Sequence, residues 1–236
     1  MSPLTHPILR SWVFNSQSWP AWAKDDMWAP ELHYVNGRYI VYFTAREYSG
    51  RSVIGAALAQ TDDPFGPYQD TGRPLVISAE SLGGAIDPHY FKDPQSGRDY
   101  LLWKEDVTLA FPASIIYIRE LHANGIYFQG PPVELLKSSL ENLLEERLVA
   151  EAPWMMFKGG YYYLFYSSAW TTEMKYHIRV ASSRSPIGPF HRGHTPVITT
   201  DWDSMQQVRQ SDGKYIWLLL TGGFQFHRED MIGVRC

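Results

Sequence analysis

The sequence is poor in the features that mark several common classes of protein. Its 236 residues include one cysteine, Cys236 at the last position, which excludes an internal disulfide framework. No apolar run approaches the roughly 20 residues that a membrane-spanning helix needs, and the first residues, MSPLTHPILRSW, lack the apolar core of a secretion signal. The formal net charge is −4 and there is no basic run. We therefore expect neither nucleic acid nor a membrane surface as a partner.

Aromatic residues are abundant instead. The chain is 44% hydrophobic and 15% aromatic, with 9 Trp and 15 Tyr, which excludes disorder and predicts many short aromatic strands. The stretch 151–168, EAPWMMFKGGYYYLFYSS, combines an acid, an apolar run, a Gly-Gly turn and an aromatic run. Because glycine supplies the positive φ of tight turns, this stretch predicts a β-hairpin around Gly159-Gly160.

This pattern occurs three times, about 60 residues apart. Aligning the prolines places WAP at 28–30, IDP at 86–88 and EAP at 151–153 in register, each before an apolar run and a glycine turn. Four antiparallel strands per repeat, arranged radially, form a β-propeller blade. Repeats longer than the roughly 40–50 residues of common propellers indicate inserted loops. An immunoglobulin-like sandwich is the competing fold, but it does not account for a proline-anchored repeat.

Two acids, Asp87 and Glu151, lie at the entrances of neighbouring repeats, one and two residues before the aligned proline. The first strand of every propeller blade lines the central channel, so we expect these side chains to converge on one pocket. Two adjacent carboxylates cannot both ionise freely, and the one with the raised pKa is a usable general acid. The alternative is that both acids only cap turns. The side chains expected nearby suit the faces of sugar rings and favour glycoside chemistry: Trp28, His89, Tyr90 and Trp154.

Several segments resemble glycoside hydrolase family 43, in order from about Trp28 to about Pro196. They are WAPELHY (28–34), IDPHY (86–90), YLLW (100–103), EAPW (151–154), YYYLFY (161–166) and RVASSRSPIGPF (179–190). The resemblance implies an all-β fold, a five-bladed β-propeller, and an inverting glycosidase. It also implies a carbohydrate substrate, in particular α-L-arabinofuranosides or β-xylosides of plant-type polysaccharides or oligosaccharides. No cofactor and no metal are expected.

The resemblance also implies roles for individual residues. Glu151 is the proton donor, and Asp87 is the carboxylate that raises the pKa of this acid and orients it. An inverting enzyme also needs a carboxylate base about 6.5–9.5 Å from the acid. The predicted substrate contacts are Trp28, His89, Trp154 and Arg179; for Arg179, pairing at the edge of the core is an equal alternative.

The chain departs from the family pattern at both ends. The family's Asp base lies on the first strand of the first blade, and nothing in Met1–Asp26 resembles that strand; Asp25 and Asp26 match no base motif. DSMQQVRQS stands between residues 202 and 212, where the Gly-His motif of the fifth blade is expected. We therefore expect one domain, 1–236, with well-matched blades at about 28–70, 85–130 and 149–192. The first and fifth blades are expected to be incomplete, and if an N-terminal piece is missing, the resemblance implies a secreted protein.

Three functions remain open on the sequence: a family 43 glycosidase, a carbohydrate-binding propeller without turnover, and a protein-interaction propeller. Some residues have simpler predicted roles. Glu31 is expected in a structural ion pair or hydrogen bond, and Trp103 in strand packing. The spacing of His33, His89 and His177 is not that of a zinc site. LLKSSLENLLEERL at 135–148 has nearly helical apolar spacing, which predicts a short surface helix.

Overall fold

The structure, a computed structural model, describes residues 13–78, 83–106, 113–138, 146, 148–169 and 176–199. Every secondary-structure element of more than one described residue is a β-strand, and Glu146 alone has helical backbone, so the predicted all-β class is confirmed. None of the described segments is a helix long and apolar enough to cross a membrane. The strands are β1 (Ala23–Val35), β2 (Arg38–Glu47), β3 (Ser52–Ala59), β4 (Tyr68–Asp70), β5 (Gly84–Lys92), β6 (Asp99–Asp106), β7 (Ile115–Leu121), β8 (Phe128–Lys137), β9 (Ala150–Lys158), β10 (Tyr161–Ser168), β11 (His177–Ser183), β12 (His191–Arg192) and β13 (Ile198–Thr199).

The strands form three antiparallel units, each with four strands in sequence order. The first unit is β1-β2-β3-β4, the second is β5-β6-β7-β8, and the third is β9-β10-β11-β12, with β13 also paired to β11. One parallel bridge, between Ser52 and Gly84, joins the first two units. Each unit opens with a predicted hairpin. Gly37 lies in the turn of the first hairpin with a φ of 94°, and Gly160 lies in the turn of the third with a φ of 80°. The described strands form no closed sheet.

A β-bulge interrupts the first strand of each unit at the aligned proline. The pairing register shifts between Trp28 and Glu31 in β1, between Ile86 and His89 in β5, and opposite the Phe165–Ser167 step in the third unit. The residue before the proline has a positive φ in every unit: Ala29 at 45°, Asp87 at 55° and Ala152 at 49°. A bulge re-aims the neighbouring side chains. The sequence repeat is therefore also a repeat of backbone conformation.

The three units are stacked face to face. Because successive side chains along a strand point to opposite faces, one strand can contribute to the packing on both sides of its unit. On β6, Leu101 packs with Tyr42 against the first unit, whereas the next residue, Leu102, packs with Leu164 against the third unit. These side chains are almost completely buried. The other face of the first unit is covered by Phe14, whose ring lies 5.2 Å from that of Phe43. The second unit is thus the middle layer.

The predicted helix at 135–148 is wrong over its first residues. Leu135 and Leu136 lie in β8 and are buried in the core between the second and third units. Consecutive leucines are both buried because a register shift opposite Ile116 and Tyr117 makes Leu135 the extra residue of a bulge. Of the remaining segment, 139–145 and 147 lie outside the described residues, and Glu146 between them has helical backbone. The segment DSMQQVRQS, where the Gly-His motif of the fifth blade is expected, also lies outside the described residues.

Candidate active site

Asp87 connects all three units at the bulge of β5. Its backbone N–H donates a hydrogen bond to Thr44 Oγ1 in the first unit at 3.1 Å. Its Oδ2 accepts a hydrogen bond from the N–H of Ala152 in the third unit at 3.0 Å. Aspartate is among the few residues that tolerate a positive φ, and the side chain is 8% exposed. The carboxylate is therefore held in one orientation beside the peptide that follows Glu151.

Glu151 is the second residue of β9, and both of its carboxylate oxygens have a partner. Lys104 Nζ lies 2.8 Å from Oε2, and the Tyr176 hydroxyl donates to Oε1, also at 2.8 Å. Lys104 projects from β6, where it pairs with Ile86 of β5. The side chains of Lys104 and Glu151 are only 7% and 13% exposed. An ammonium group from the second unit thus reaches a carboxylate of the third.

The Tyr176 hydroxyl is a donor because it remains protonated. Burial, followed by the negative charge of Glu151, raises the pKa of Tyr176; the charge of Asp87 adds to this, and a hydrogen bond with Ser167 opposes it. The charges of both acids therefore contribute to the raised pKa of Tyr176.

Glu31 and His89 form a second link between units. His89 Nε2 accepts the N–H of Met155 at 2.9 Å, so the ring proton is on Nδ1, which lies 2.7 Å from Glu31 Oε1. Glu31 Oε2 accepts the N–H of Tyr90 at 2.7 Å and lies 3.0 Å from His33 Nε2. The structural role predicted for Glu31 is confirmed.

The pKa of Glu31 is low for a physical reason. Burial opposes ionisation of the carboxyl group, but the attraction of His89 and hydrogen bonds from His33 and His89 outweigh it and hold the pKa at about 2. The carboxylate is therefore ionised throughout the neutral and mildly acidic pH range.

Replacing Glu31 should change how stability depends on acid. Because the folded-state pKa lies below the ordinary value of 4.5, the group stabilises the fold fully above about pH 4.5, and this contribution disappears as the pH falls towards 2. Chemical denaturation of Glu31→Gln should show a lower free energy of unfolding at pH 6, and a difference from the wild type that shrinks below pH 4.5. Glu134→Gln, at an exposed glutamate of β8, is the control. A difference that is constant from pH 6 to pH 3 would contradict the assignment.

Glu31, His33 and His89 offer metal-ligand atoms within 4.8 Å of one another. A metal on His89 Nδ1 would have to displace the proton that this nitrogen donates to Glu31. The proton cannot move to Nε2, since that nitrogen accepts the Met155 N–H. The arrangement fits a hydrogen-bonded junction between units better than it fits a metal site.

One protein family matches most of the chain. The family model described as glycosyl hydrolases family 43 matches residues 6–222. The chain belongs to glycosyl hydrolase family 43. The resemblance in the sequence motifs is confirmed.

The chain is similar to proteins named as arabinosidases and xylosidases and to a solved family 43 structure. The arabinan endo-1,5-alpha-L-arabinosidase A of Aspergillus niger is 30% identical over 184 residues, 70% of this chain and 51% of the relative. The xylosidase/arabinosidase 43A of Humicola insolens is 28% identical over 231 residues, 84% of this chain and 66% of the relative. The crystal structure of a thermostable family-43 glycoside hydrolase has a TM-score of 0.68 at 26% identity, over 78% of this chain and 59% of that chain. The chain thus spans about half to two thirds of these relatives.

The predicted substrate-contact residues Arg179 and Trp154 differ in exposure. Arg179 is 2% exposed, its Nη2 donates to the Gly193 carbonyl at 3.1 Å, and its Nε lies 4.0 Å from Glu146 Oε1. The structure therefore shows the core-edge pairing considered for Arg179. Trp154 is 45% exposed, and its ring lies 5.8 Å from the ring of His89. The predicted contacts of these residues with a substrate stay predictions.

The candidate base and substrate-contact residues of the first unit lie near one arginine, Arg46. Arg46 Nε lies 2.8 Å from Asp26 Oδ2 and 3.7 Å from Asp25 Oδ1. Its guanidinium lies 5.7 Å from the ring centroid of Trp28. Both acids upstream of the WAPE motif are therefore engaged with a cation.

Sequence reasoning missed Lys104, Tyr176 and Thr44. A signal existed for Lys104: it follows Trp103 within the apolar strand motif YLLWKED, and a lysine buried in a strand needs a partner. Trp103 itself packs as predicted, 3% exposed and stacked on Tyr117 at 5.8 Å. Tyr176 and Thr44 carry no such signal, since only the stacking of the units brings them to the acids.

Proposed function

We propose that this family 43 chain carries the proton-donor half of an inverting glycosidase site. The substrate class is α-L-arabinofuranosides or β-xylosides of plant-type polysaccharides or oligosaccharides. Glu151 protonates the glycosidic oxygen, and Asp87 orients Glu151 and favours its protonated form. The observation that carries the proposal is the hydrogen bond from the N–H of Ala152 to Asp87 Oδ2 at 3.0 Å, because it fixes one acid beside the other across two units.

The proposed chemistry follows from two carboxyl groups with different environments. Glu151 gives its proton to the leaving oxygen as the bond to the anomeric carbon breaks, and water attacks the opposite face of the sugar. A carboxylate base is needed for that water, about 6.5–9.5 Å from Glu151. Since Asp25 and Asp26 both pair with Arg46, we propose that the base is a carboxylate outside the described residues.

We also propose that the three units are consecutive blades of a five-bladed β-propeller that forms one domain over 1–236. The first and fifth blades are held only in part by this chain. Contacts between units repeat from one junction to the next, which supports a circular arrangement. Glu31 binds His89 of the second unit, and His89 in turn binds the N–H of Met155 in the third. Glu31, His89 and Trp154 each follow the aligned proline of their unit. Trp154 is exposed, which is consistent with a further blade packing beyond β9–β12.

The second candidate is a carbohydrate-binding propeller without turnover. The observation that favours it is the engagement of Asp25 and Asp26 with Arg46, which leaves the described residues without an assigned base. A protein-interaction propeller is less well supported. Burying the pair Lys104 and Glu151 at a strand entrance has a large desolvation cost, and a scaffold has no need of it.

The test is incubation of the chain with 4-nitrophenyl α-L-arabinofuranoside, 4-nitrophenyl β-xyloside, arabinotriose and xylotriose. We expect release of sugar, with ¹H NMR showing inverted configuration at the anomeric carbon. The control variant Glu134→Gln should be unchanged. Calorimetric binding of a trisaccharide without hydrolysis would favour the second candidate. Retention of configuration would overturn the proposed mechanism.

A further inference from the structure

Lys104 is a buried cation whose position is set by the fold. It is 5% exposed on β6, the strand of the middle layer. A lysine buried to this degree is stable only when its charge is paired. Glu151 Oε2 is 2.8 Å from its ammonium group, and the two residues belong to different units. The contact therefore depends on how the second and third units are stacked.

Tyr176 completes the hold on Glu151. Its hydroxyl donates to Oε1 at 2.8 Å, so the two oxygens of one carboxylate are bound by donors from two separate segments. Rotation of the carboxylate about its last torsion would break both contacts. Fixed orientation of a reacting group is one of the larger sources of catalytic rate. Nothing in the roles assigned to Glu151 and Asp87 accounts for either donor.

We propose that Lys104 and Tyr176 are positioning residues of Glu151, which hold the carboxylate in the form that it has after it has given up its proton. The proton-transfer step rests on the proposed function; the pairing itself does not. In that step the O–H bond of Glu151 breaks, the glycosidic oxygen takes the proton and leaves as an alcohol, and the electron pair stays on Glu151. The ammonium of Lys104 offsets the new negative charge. Water returns the proton before the next cycle.

Lys104 and Tyr176 should differ in their effect on pH dependence. Among the described residues, Lys104 on β6 and Tyr176 before β11 contact Glu151, and Asp87 on β5 binds the N–H of the next residue, Ala152. A neighbouring ammonium favours the ionised form of a carboxyl group, whereas a neutral hydroxyl has a much smaller effect. Lys104 therefore limits activity on the alkaline side of the pH profile, while the Tyr176 hydroxyl fixes the direction in which the Glu151 carboxylate points.

A double-mutant cycle tests the pairing without requiring activity. Thermal melts at pH 7 compare the wild type with Lys104→Met, Glu151→Gln and the double variant. Lys104→Met should lower Tm by roughly 10 °C, because it leaves a buried charge without its partner. The double variant should melt within about 3 °C of Glu151→Gln alone. Lys137→Met, at an exposed lysine of β8, is the control. Strictly additive changes would overturn the proposal.

Kinetics supply the readout that a purely structural role would not change. In Lys104→Met, the alkaline limb of the kcat/KM profile should move up by at least about one pH unit. Lys104→Arg should restore most of the wild-type profile and also covers the case in which Lys104→Met does not fold. Tyr176→Phe should lower kcat about tenfold with KM and the limb little changed. An inactive wild type with an intact cycle would contradict the proposed function alone. Wild-type turnover with an unmoved limb in Lys104→Met would overturn this inference.

Discussion

Glu151→Gln is expected to lower hydrolysis of aryl arabinofuranosides or xylosides by roughly 10²–10⁴-fold, the range that general acid catalysis contributes. Glutamine keeps the shape of the side chain, and its carbonyl can still accept the hydrogen bond that Tyr176 donates at 2.8 Å. It carries no acidic proton. The measurement is kcat/KM at the optimal pH, with Glu134→Gln as the matched exposed control.

The leaving group adds a second criterion to this experiment. An activated aryl group depends less on protonation to depart, so Glu151→Gln should lose less activity on such substrates than on a disaccharide. An equal loss on both would show that the substitution damages the site generally. Activity within about threefold of the wild type on a disaccharide would contradict the assignment of the proton donor.

Asp87→Asn is expected to lower kcat/KM by roughly 10–100-fold and to move the alkaline limb to lower pH. Asparagine tolerates the φ of 55° at this position, and its carbonyl can accept the N–H of Ala152. The substitution therefore removes a negative charge with little change in shape. Without that charge the protonated form of Glu151 is less favoured.

The control for Asp87→Asn is Asp62→Asn, in an exposed turn. Asp87→Asn and Lys104→Met should shift the alkaline limb in opposite directions, because they remove charges of opposite sign from the same carboxyl group. A limb that stays in place in Asp87→Asn would leave Asp87 with a structural role only.

The sequence predicted the repeated unit well because local rules determine it. Proline, a bulge, an apolar run and a glycine turn recur in each unit, and each depends on neighbouring residues. The segment 135–148 shows where prediction from local apolar spacing fails. Its apolar spacing is nearly helical, but pairing of Leu136 with Ile116 draws the first residues into β8. Tertiary pairing outweighs a weak local preference.

The site could be predicted only in part for the same reason. Asp87 and Glu151 stand one and two residues before aligned prolines and were visible as a pair. The donors that hold Glu151 come from β6 and from the segment before β11, and sequence spacing does not place them. Both nitrogens of His89 are used at the junctions between units, although its position beside an aligned proline favoured a substrate contact.

The measurement that tests the central claim most directly is a crystal structure of Glu151→Gln soaked with xylotriose or arabinotriose. We predict a bound trisaccharide with one glycosidic oxygen within about 3 Å of the side-chain amide of residue 151. The sugar should lie between the entrances of β5 and β9. A trisaccharide bound elsewhere, with no glycosidic oxygen within reach of residue 151, would contradict the account.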